Sequence, residues 1–324
     1  MTIHLRVLRA ADIDRAVDMY AAIEVMATAF RQLASGRVNV PRRLGVETDG
    51  GLLLAMPGSL PDQNALAIKV VSVFPGNSRA GLPSIFGLVL VLDAATGAPV
   101  ALIEGSRLTA LRTGATTGLA TKLMARENAR TVALFGAGVQ ARTQLAAVRA
   151  VRDIAEVRIL SRTRESAARL AAELTDIDAR IAGDSRDALR GADIVITATT
   201  SATPLVAGRD LDPGTHVNAI GAYTAAMREV DADAVRRARV VVDTRDGAMA
   251  EAGDLIIAMR DGVVDAQHIV AELGEVVTGA VAGRTSAEEI TLFKSVGHAA
   301  EDVALARCVL DAADARNLGT SIDL

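Results

Sequence analysis

Val132-Ala133-Leu134-Phe135-Gly136-Ala137-Gly138-Val139-Gln140-Ala141 is the stretch that decides the fold. Four apolar residues run into Gly-x-Gly-x-x-Ala, and a helical pattern opens at Val139. Each small residue has a physical task in such a strand–turn–helix. Gly136 permits a tight turn, Gly138 lets the backbone approach a pyrophosphate, and Ala141 lets helix and strand pack closely. The helix start offers unpaired N–H groups and the positive end of a dipole to phosphates. Glycine turns between strand and helix also occur for packing alone. Here the context matches on both sides, so the stretch is read as a dinucleotide-binding loop.

Downstream, strands and helices alternate. Strands are expected at 131–135, 156–160, 194–198, 216–220 and 240–243, with helices at 139–149 and 164–174. Such alternation argues for a parallel, doubly wound sheet. The stretch from 286 on reads as helical again. Upstream the rhythm differs. Apolar residues at helical spacing over 12–33 predict one helix, ended by Gly36. Strands follow at 52–56, 65–73, 85–92 and 100–104, with a hairpin turn at Thr96-Gly97. A helix over 106–125 leads into the alternating part. The N-terminal third is thus an α+β layer, with no internal repeat.

The second strand of the alternating part bears on which dinucleotide binds. An NAD-type strand usually ends in Asp or Glu, which holds the ribose 2′-hydroxyl. This one ends Ile159-Leu160-Ser161-Arg162-Thr163-Arg164, with no acid. Arg162 can stack on adenine and pair with a 2′-phosphate, and Ser161 and Thr163 can donate to it. The expectation is NADP(H), with NAD(H) left open; a solvated surface arginine is the plain alternative.

Composition sets bounds. The 324 residues carry a net charge of −4, with no Trp, two Tyr and five Phe. That is neither the basic footprint of a nucleic-acid binder nor a stacking surface for single strands. One cysteine, Cys308, excludes an internal disulfide and multi-cysteine metal sites, and it is read as a core residue. The four histidines show no metal-ligand spacing, so no metal is expected. Nothing resembles a secretory signal, and no apolar stretch reaches the roughly 18 residues of a membrane span. A cytoplasmic location, with no membrane partner, is the expectation.

Several segments in order resemble one family. They are Ala67-Ile68-Lys69-Val70-Val71-Ser72-Val73-Phe74-Pro75-Gly76-Asn77, Leu111-Arg112-Thr113-Gly114-Ala115, the phosphate loop, Arg228-Glu229-Val230-Asp231, Glu272-Leu273-Gly274-Glu275-Val276 and Thr291-Leu292-Phe293-Lys294-Ser295-Val296-Gly297. The chain resembles the ornithine cyclodeaminase/mu-crystallin family, which includes alanine dehydrogenases and ketimine reductases. The resemblance implies an α/β fold in which a Rossmann dinucleotide-binding domain is inserted in an α+β substrate and dimerisation domain. The expected boundaries are 1–120 plus 300–324 for the latter and 121–299 for the former. It also implies a homodimer and a small amino or imino acid substrate.

Such a substrate needs cations for its carboxylate and a proton donor near nitrogen. Arg43 resembles the family's first carboxylate-binding arginine, with Arg42 as the alternative, and Arg112 resembles the second. A guanidinium fork fits a carboxylate with two parallel hydrogen bonds. Lys69 lies in an apolar strand, so it is either an outward-facing residue or a buried functional amine with a lowered pKa. The resemblance gives it a substrate-contacting, proton-moving role. Asp231 matches the family's catalytic aspartate, and it can equally be a helix N-cap. Ser84 aligns with a polar substrate contact. Thr113, Val139, Gln140, Ala198 and Thr199 join Gly136, Gly138, Ser161, Arg162 and Thr163 in the expected cofactor set.

One position departs from the pattern. Relatives that cyclise ornithine carry an acid just before the Met-Pro turn, to meet the distal ammonium. Here Leu54 holds that place, in Leu52-Leu53-Leu54-Ala55-Met56-Pro57. An ammonium buried beside leucines is costly. The sequence therefore favours an NADP(H)-dependent imine reductase or alanine dehydrogenase-like enzyme. A diamino-acid cyclodeaminase, and a crystallin-like protein that binds without turnover, are the alternatives.

Overall fold

The computed structural model describes residues 3–323, Ser78 by its backbone only. The chain forms two compact units, Met1–Arg112 with Ala299–Leu324, and Thr113–His298.

The first unit is built on a seven-stranded sheet. Its order is Thr320–Asp323, His4–Leu8, Pro99–Glu104, Ile85–Leu92, Ala65–Val73, Gly51–Leu60, Leu44–Thr48. The last five form an antiparallel meander, while His4–Leu8 lies parallel to Pro99–Glu104. Alternate residues define two unlike faces. One buries Met56, Ala67, Val89, Val91 and Ile103. The helix Ala299–Ala315 covers it so closely that a Cβ at Gly58 would sit 3.1 Å from Val303 Cγ2. The other face exposes Leu44, Val46, Leu53, Val70, Phe86 and Leu88.

Three expectations for this unit need correction. The single helix over 12–33 is two, Ala10–Ala16 and Met19–Ala34, because Asp18 caps a new start by accepting from Ala21 N at 2.8 Å. The strand expected at 52–56 runs over Gly51–Leu60, straight through Pro57. Ser59 N bonds to Asn39 on the far side, so residue 57, two along, directs its nitrogen there too, away from Ala65–Val73. Its missing N–H therefore costs the meander nothing. The edge strands Leu44–Thr48 and Thr320–Asp323, and His4–Leu8 inside the second of them, carry no strand signal in the sequence reading.

The second unit carries eight parallel strands. Their order is Ile269–Glu272, Ala238–Val242, Ile290–Lys294, His216–Ala219, Ile194–Thr197, Thr131–Phe135, Glu156–Leu160, Asp178–Ile181. Both faces are buried, as helix crossovers require. Val132, Leu134, Ile194 and Ile196 pack with Ala141 and Leu145 on one side. Ala133, Phe135, Val195 and Val217 pack with Ala234 and Leu255 on the other. The strand order reverses between Thr131–Phe135 and Ile194–Thr197, the switch point at which doubly wound sheets bind ligands. The expectation of helix from 286 on is wrong here. Ile290–Lys294 is a fully buried strand, and helix begins only at Ala299. A five-residue apolar run has no periodicity that separates strand from helix.

Candidate functional site

Lys69 is buried on the helix-covered face of the first sheet. Its Nζ donates to Asp302 Oδ2 at 2.6 Å. Arg112 Nε reaches Asp302 Oδ1 at 3.1 Å, and its Nη1 reaches Glu301 Oε2 at 3.3 Å. One carboxylate therefore bridges the lysine and the arginine. All four side chains are buried, and their charges sum to zero, the condition under which buried ions persist. Burial pulls the Lys69 ammonium down to about 8, with Asp302 opposing and Arg112 assisting. Burial alone would raise the Asp302 carboxyl, but Arg112 and Lys69 outweigh it and hold it below the usual range.

Local sequence places each group. Gly105 opens the helix Gly105–Met124, and a Cβ there would fall 2.4 Å from the carbonyl carbon of Gly87. This glycine pair lets the helix leave the sheet hard against the strand Ile85–Leu92, with Arg112 two turns on. Asp302 and Glu301 were missed in the sequence. Two adjacent acids in Ala299-Ala300-Glu301-Asp302-Val303-Ala304-Leu305-Ala306 were the available signal, since acids in an apolar helix need buried partners.

The surroundings of Lys69 follow from register. It pairs with Met56 and Val89. The next rung on the same face is Gly45–Leu54–Val71–Gly87, and the one beyond is Glu47–Leu52–Val73–Ile85. Leu54 thus shares the face and the neighbouring rung of Lys69. Glu47 is exposed and two rungs away, roughly 13 Å along the strands. Arg43, just before Leu44–Thr48, is half-buried and Arg42 exposed. Ser84 is half-buried at the start of Ile85–Leu92, and its carbonyl accepts from Phe74 N at 2.7 Å.

In the second unit Gly136 has φ +109°, and a Cβ there would lie 2.5 Å from Ala198 O. Only glycine fits, and the phosphate loop thereby abuts the end of Ile194–Thr197 at the switch point. A Cβ at Gly138 would meet open space. Gly138 caps Val139–Val151 without a side-chain bond, and no acid lies in the first turn. The N–H groups there remain available to an anion. Val139 is exposed and Gln140 half-buried, its Oε1 accepting from Gln144 Nε2 at 3.2 Å. These features fit a dinucleotide. Ser161 is half-buried, and Arg162 is exposed with no ion pair among the described residues. Thr163 is the N-cap of Arg164–Glu173, its hydroxyl taken up by Ser166 N at 3.3 Å and Ser166 Oγ at 2.9 Å. Thr113 is buried on Gly105–Met124.

Thr199 leads to a group the sequence reading passed over. Its N and Oγ1 both donate to Glu229 Oε1 at 2.7 Å. Glu229 is buried, and burial pushes its carboxyl up, with Lys294 opposing. Asp231, two residues on, is the N-cap of Ala232–Arg237. Its Oδ1 accepts from Ala234 N at 2.7 Å and Gly208 N at 2.9 Å. His216 is buried between Thr291 Oγ1 and Asn218 Oδ1, and burial drives its pKa down to about 3. Cys308 is partly buried, and burial raises its thiol.

Residues 4–317 match the ornithine cyclodeaminase/mu-crystallin family. The chain belongs to that family. It is 38% identical to a Delta(1)-pyrroline-2-carboxylate reductase of Bacillus cereus, over 98% of this chain and 99% of that protein. The Thermococcus litoralis Delta(1)-pyrroline-2-carboxylate reductase, solved with NADH and L-proline, superposes with a TM-score of 0.95 at 41% identity, covering 98% of this chain and 100% of that one. An archaeal alanine dehydrogenase dimer with bound NAD gives 0.94 at 34% identity, covering 99% of each. Among the described residues no helix is long and apolar enough to cross a membrane.

Proposed function

We propose that this chain reduces the carbon–nitrogen double bond of a cyclic 2-imino acid, with Δ1-pyrroline-2-carboxylate the preferred substrate and proline the product. The class, an NAD(P)-dependent oxidoreductase acting on the carbon–nitrogen bond of a small amino or imino acid, is common to its relatives. The observation that carries the narrower reading is the buried Lys69–Asp302–Arg112 bridge, with Leu54 on the adjoining rung.

Arg112 binds the substrate carboxylate, and Arg43, the less exposed of the two neighbouring arginines, adds a second guanidinium. Ser84 supplies a further polar contact. Lys69 gives a proton to the imine nitrogen; its Nζ–H bond breaks as the new N–H bond forms. Asp302 holds the Lys69 nitrogen in place before and after the proton leaves. The dinucleotide, when bound, supplies the hydride for the adjacent carbon. Gly136, Gly138, Val139, Gln140, Thr113, Ala198 and Thr199 hold it, and Ser161 with Arg162 favour the 2′-phosphate form. Thr163 and Asp231 we assign to their helix caps, since both already bond the backbone there.

Leu54 and Val71 offer the ring's methylenes an apolar wall, at roughly 0.8 kcal/mol per methylene buried. A distal ammonium there would shed water without gaining a carboxylate partner. The outer sheet face suits a second copy of the chain, because six large apolar side chains share two rungs of it. The test is catalytic efficiency on pyrroline-2-carboxylate, piperideine-2-carboxylate, pyruvate with ammonia, and ornithine. The cyclic imines should lead by orders of magnitude. Ornithine as the best substrate would sink the reading and point to Glu47 as the missing acid.

A further inference from the structure

We infer that Glu229 is a positioning residue that fixes the nicotinamide-side wall of the dinucleotide crevice by clamping two strand-end loops together. This rests on the dinucleotide reading above and adds a residue to it. Four donors converge on the one carboxylate. Oε1 accepts from Thr199 N and Oγ1, both at 2.7 Å. Oε2 accepts from Thr197 Oγ1 at 2.9 Å and Ala222 N at 3.0 Å. Thr199 follows the strand Ile194–Thr197, and Ala222 follows His216–Ala219. The carboxylate therefore joins the carboxyl ends of two neighbouring parallel strands.

A second ring of contacts fixes the clamp. Glu229 N donates to Asp254 Oδ1 at 2.6 Å, Asp254 Oδ2 pairs with Lys294 Nζ at 2.8 Å, and Lys294 donates on to Ala222 O. Glu229, Asp254 and Lys294 are fully buried. Space is equally constrained. A Cβ at Gly221 would fall 2.2 Å from Thr199 O and 2.5 Å from Glu229 Oε1.

Position in the sheet says which part of the ligand this serves. The phosphate loop follows Thr131–Phe135, and the adenosine half extends toward Ser161 and Arg162 beyond Glu156–Leu160. The Thr199 and Ala222 loops lie on the opposite side of the switch point, where the other half of the dinucleotide goes. Glu229 itself points into the protein, and it acts through the backbone of Thr199 and Ala222.

Glutamine at 229 would turn an amide N–H₂ toward either Thr199 N–H or Ala222 N–H. A backbone N–H cannot turn round, so one donor is left facing another. The experiment titrates full-length wild type, Glu229→Gln and Thr197→Val with NAD(P)H and with ADP-ribose or its 2′-phosphate. Both variants should hold the ADP-ribose ligand within about twofold of wild type and bind NAD(P)H about fivefold or more weakly. Equal losses for both ligands, or no loss for either, overturn the assignment. Thr197→Val removes one arm of the clamp from a buried residue outside the cofactor set, and decides the matter if Glu229→Gln does not fold. A wild type that binds neither ligand would instead overturn the dinucleotide reading, and this inference with it.

Discussion

The two sheets of this molecule put their chemistry in different places. The first is antiparallel around the site and offers side chains from one face: Lys69 stands in the middle of a strand, with Leu54 a rung away. The second is parallel and buried on both faces, so only its strand ends are free to meet a ligand. What it offers there is mostly backbone, at Gly136, Gly138, Ala198 and Thr199. The buried charges differ to match. Lys69, Arg112, Asp302 and Glu301 are two cations and two anions held by one another. Glu229, Asp254 and Lys294 are two anions and one cation, balanced by backbone and hydroxyl donors. A face can recognise a substrate by side-chain choice, whereas strand ends recognise a shape shared by many ligands. Substitutions in the first should therefore change chemistry, and substitutions in the second should change cofactor affinity.

The largest effect is expected outside both sites. With a second copy on the outer face, as proposed, wild type sediments as a dimer and Val70→Lys with Leu88→Lys should sediment as a monomer. Each apolar side chain buried there contributes roughly 1.5–3 kcal/mol. An unchanged mass would mean that this face is not the interface.

Next come Lys69→Ala and Arg112→Ala, each expected to lower kcat/KM by about 2–5 kcal/mol with NAD(P)H affinity nearly intact. Each also strands a buried carboxylate, so thermal unfolding should be followed alongside. Wild-type kinetics in either variant would break the division between the two sheets.

The proposed 2′-phosphate site predicts NADPH ahead of NADH, and Arg162→Asp should reverse that order, at about 1.5–3 kcal/mol for a charge-assisted hydrogen bond. Equal affinity of the unmodified protein for both dinucleotides would remove the case for a 2′-phosphate site.

The smallest effect is a shift in pH. The proposed proton transfer requires Lys69 protonated, and its pKa is lowered to about 8. Reductive kcat/KM should be full below that value and fall as pH rises through it, while proline oxidation rises. Asp302 holds the lysine pKa up, so Asp302→Asn should move the break to lower pH. A profile flat from pH 7 to about 9.5 would show that another group carries the proton.

Much of this contrast could be read from sequence, and the remainder was hidden for physical reasons. The phosphate loop declares itself because its requirements are local: Gly136 is glycine to avoid Ala198 O, whatever else the chain does. Lys69 was visible as a charge in an apolar strand. Its partner Asp302 is 233 residues away, and nothing local pairs them. The strand His4–Leu8 was hidden likewise, since its neighbours are Pro99–Glu104 and Thr320–Asp323. In Arg228-Glu229-Val230-Asp231 the sequence points to the aspartate, although Glu229 is the residue that goes inside. Glu229 and Val230 are both buried between half-buried neighbours, a pattern with no period that would say which polar residue has found donors.

The long separation of Lys69 from Asp302 also orders events in time. A nascent chain releases six of the seven strands of the first sheet early, but Thr320–Asp323 and the helix Ala299–Ala315 that covers the sheet emerge only after the whole of Thr113–His298. At roughly 5–20 residues per second, that interval is about ten to forty seconds. During it the inserted unit has all its own strands and can close, while the first sheet waits with Lys69 unpaired and both faces bare. The part of the protein made first is the part finished last, and it is there that a stalled or truncated chain would be most prone to aggregate.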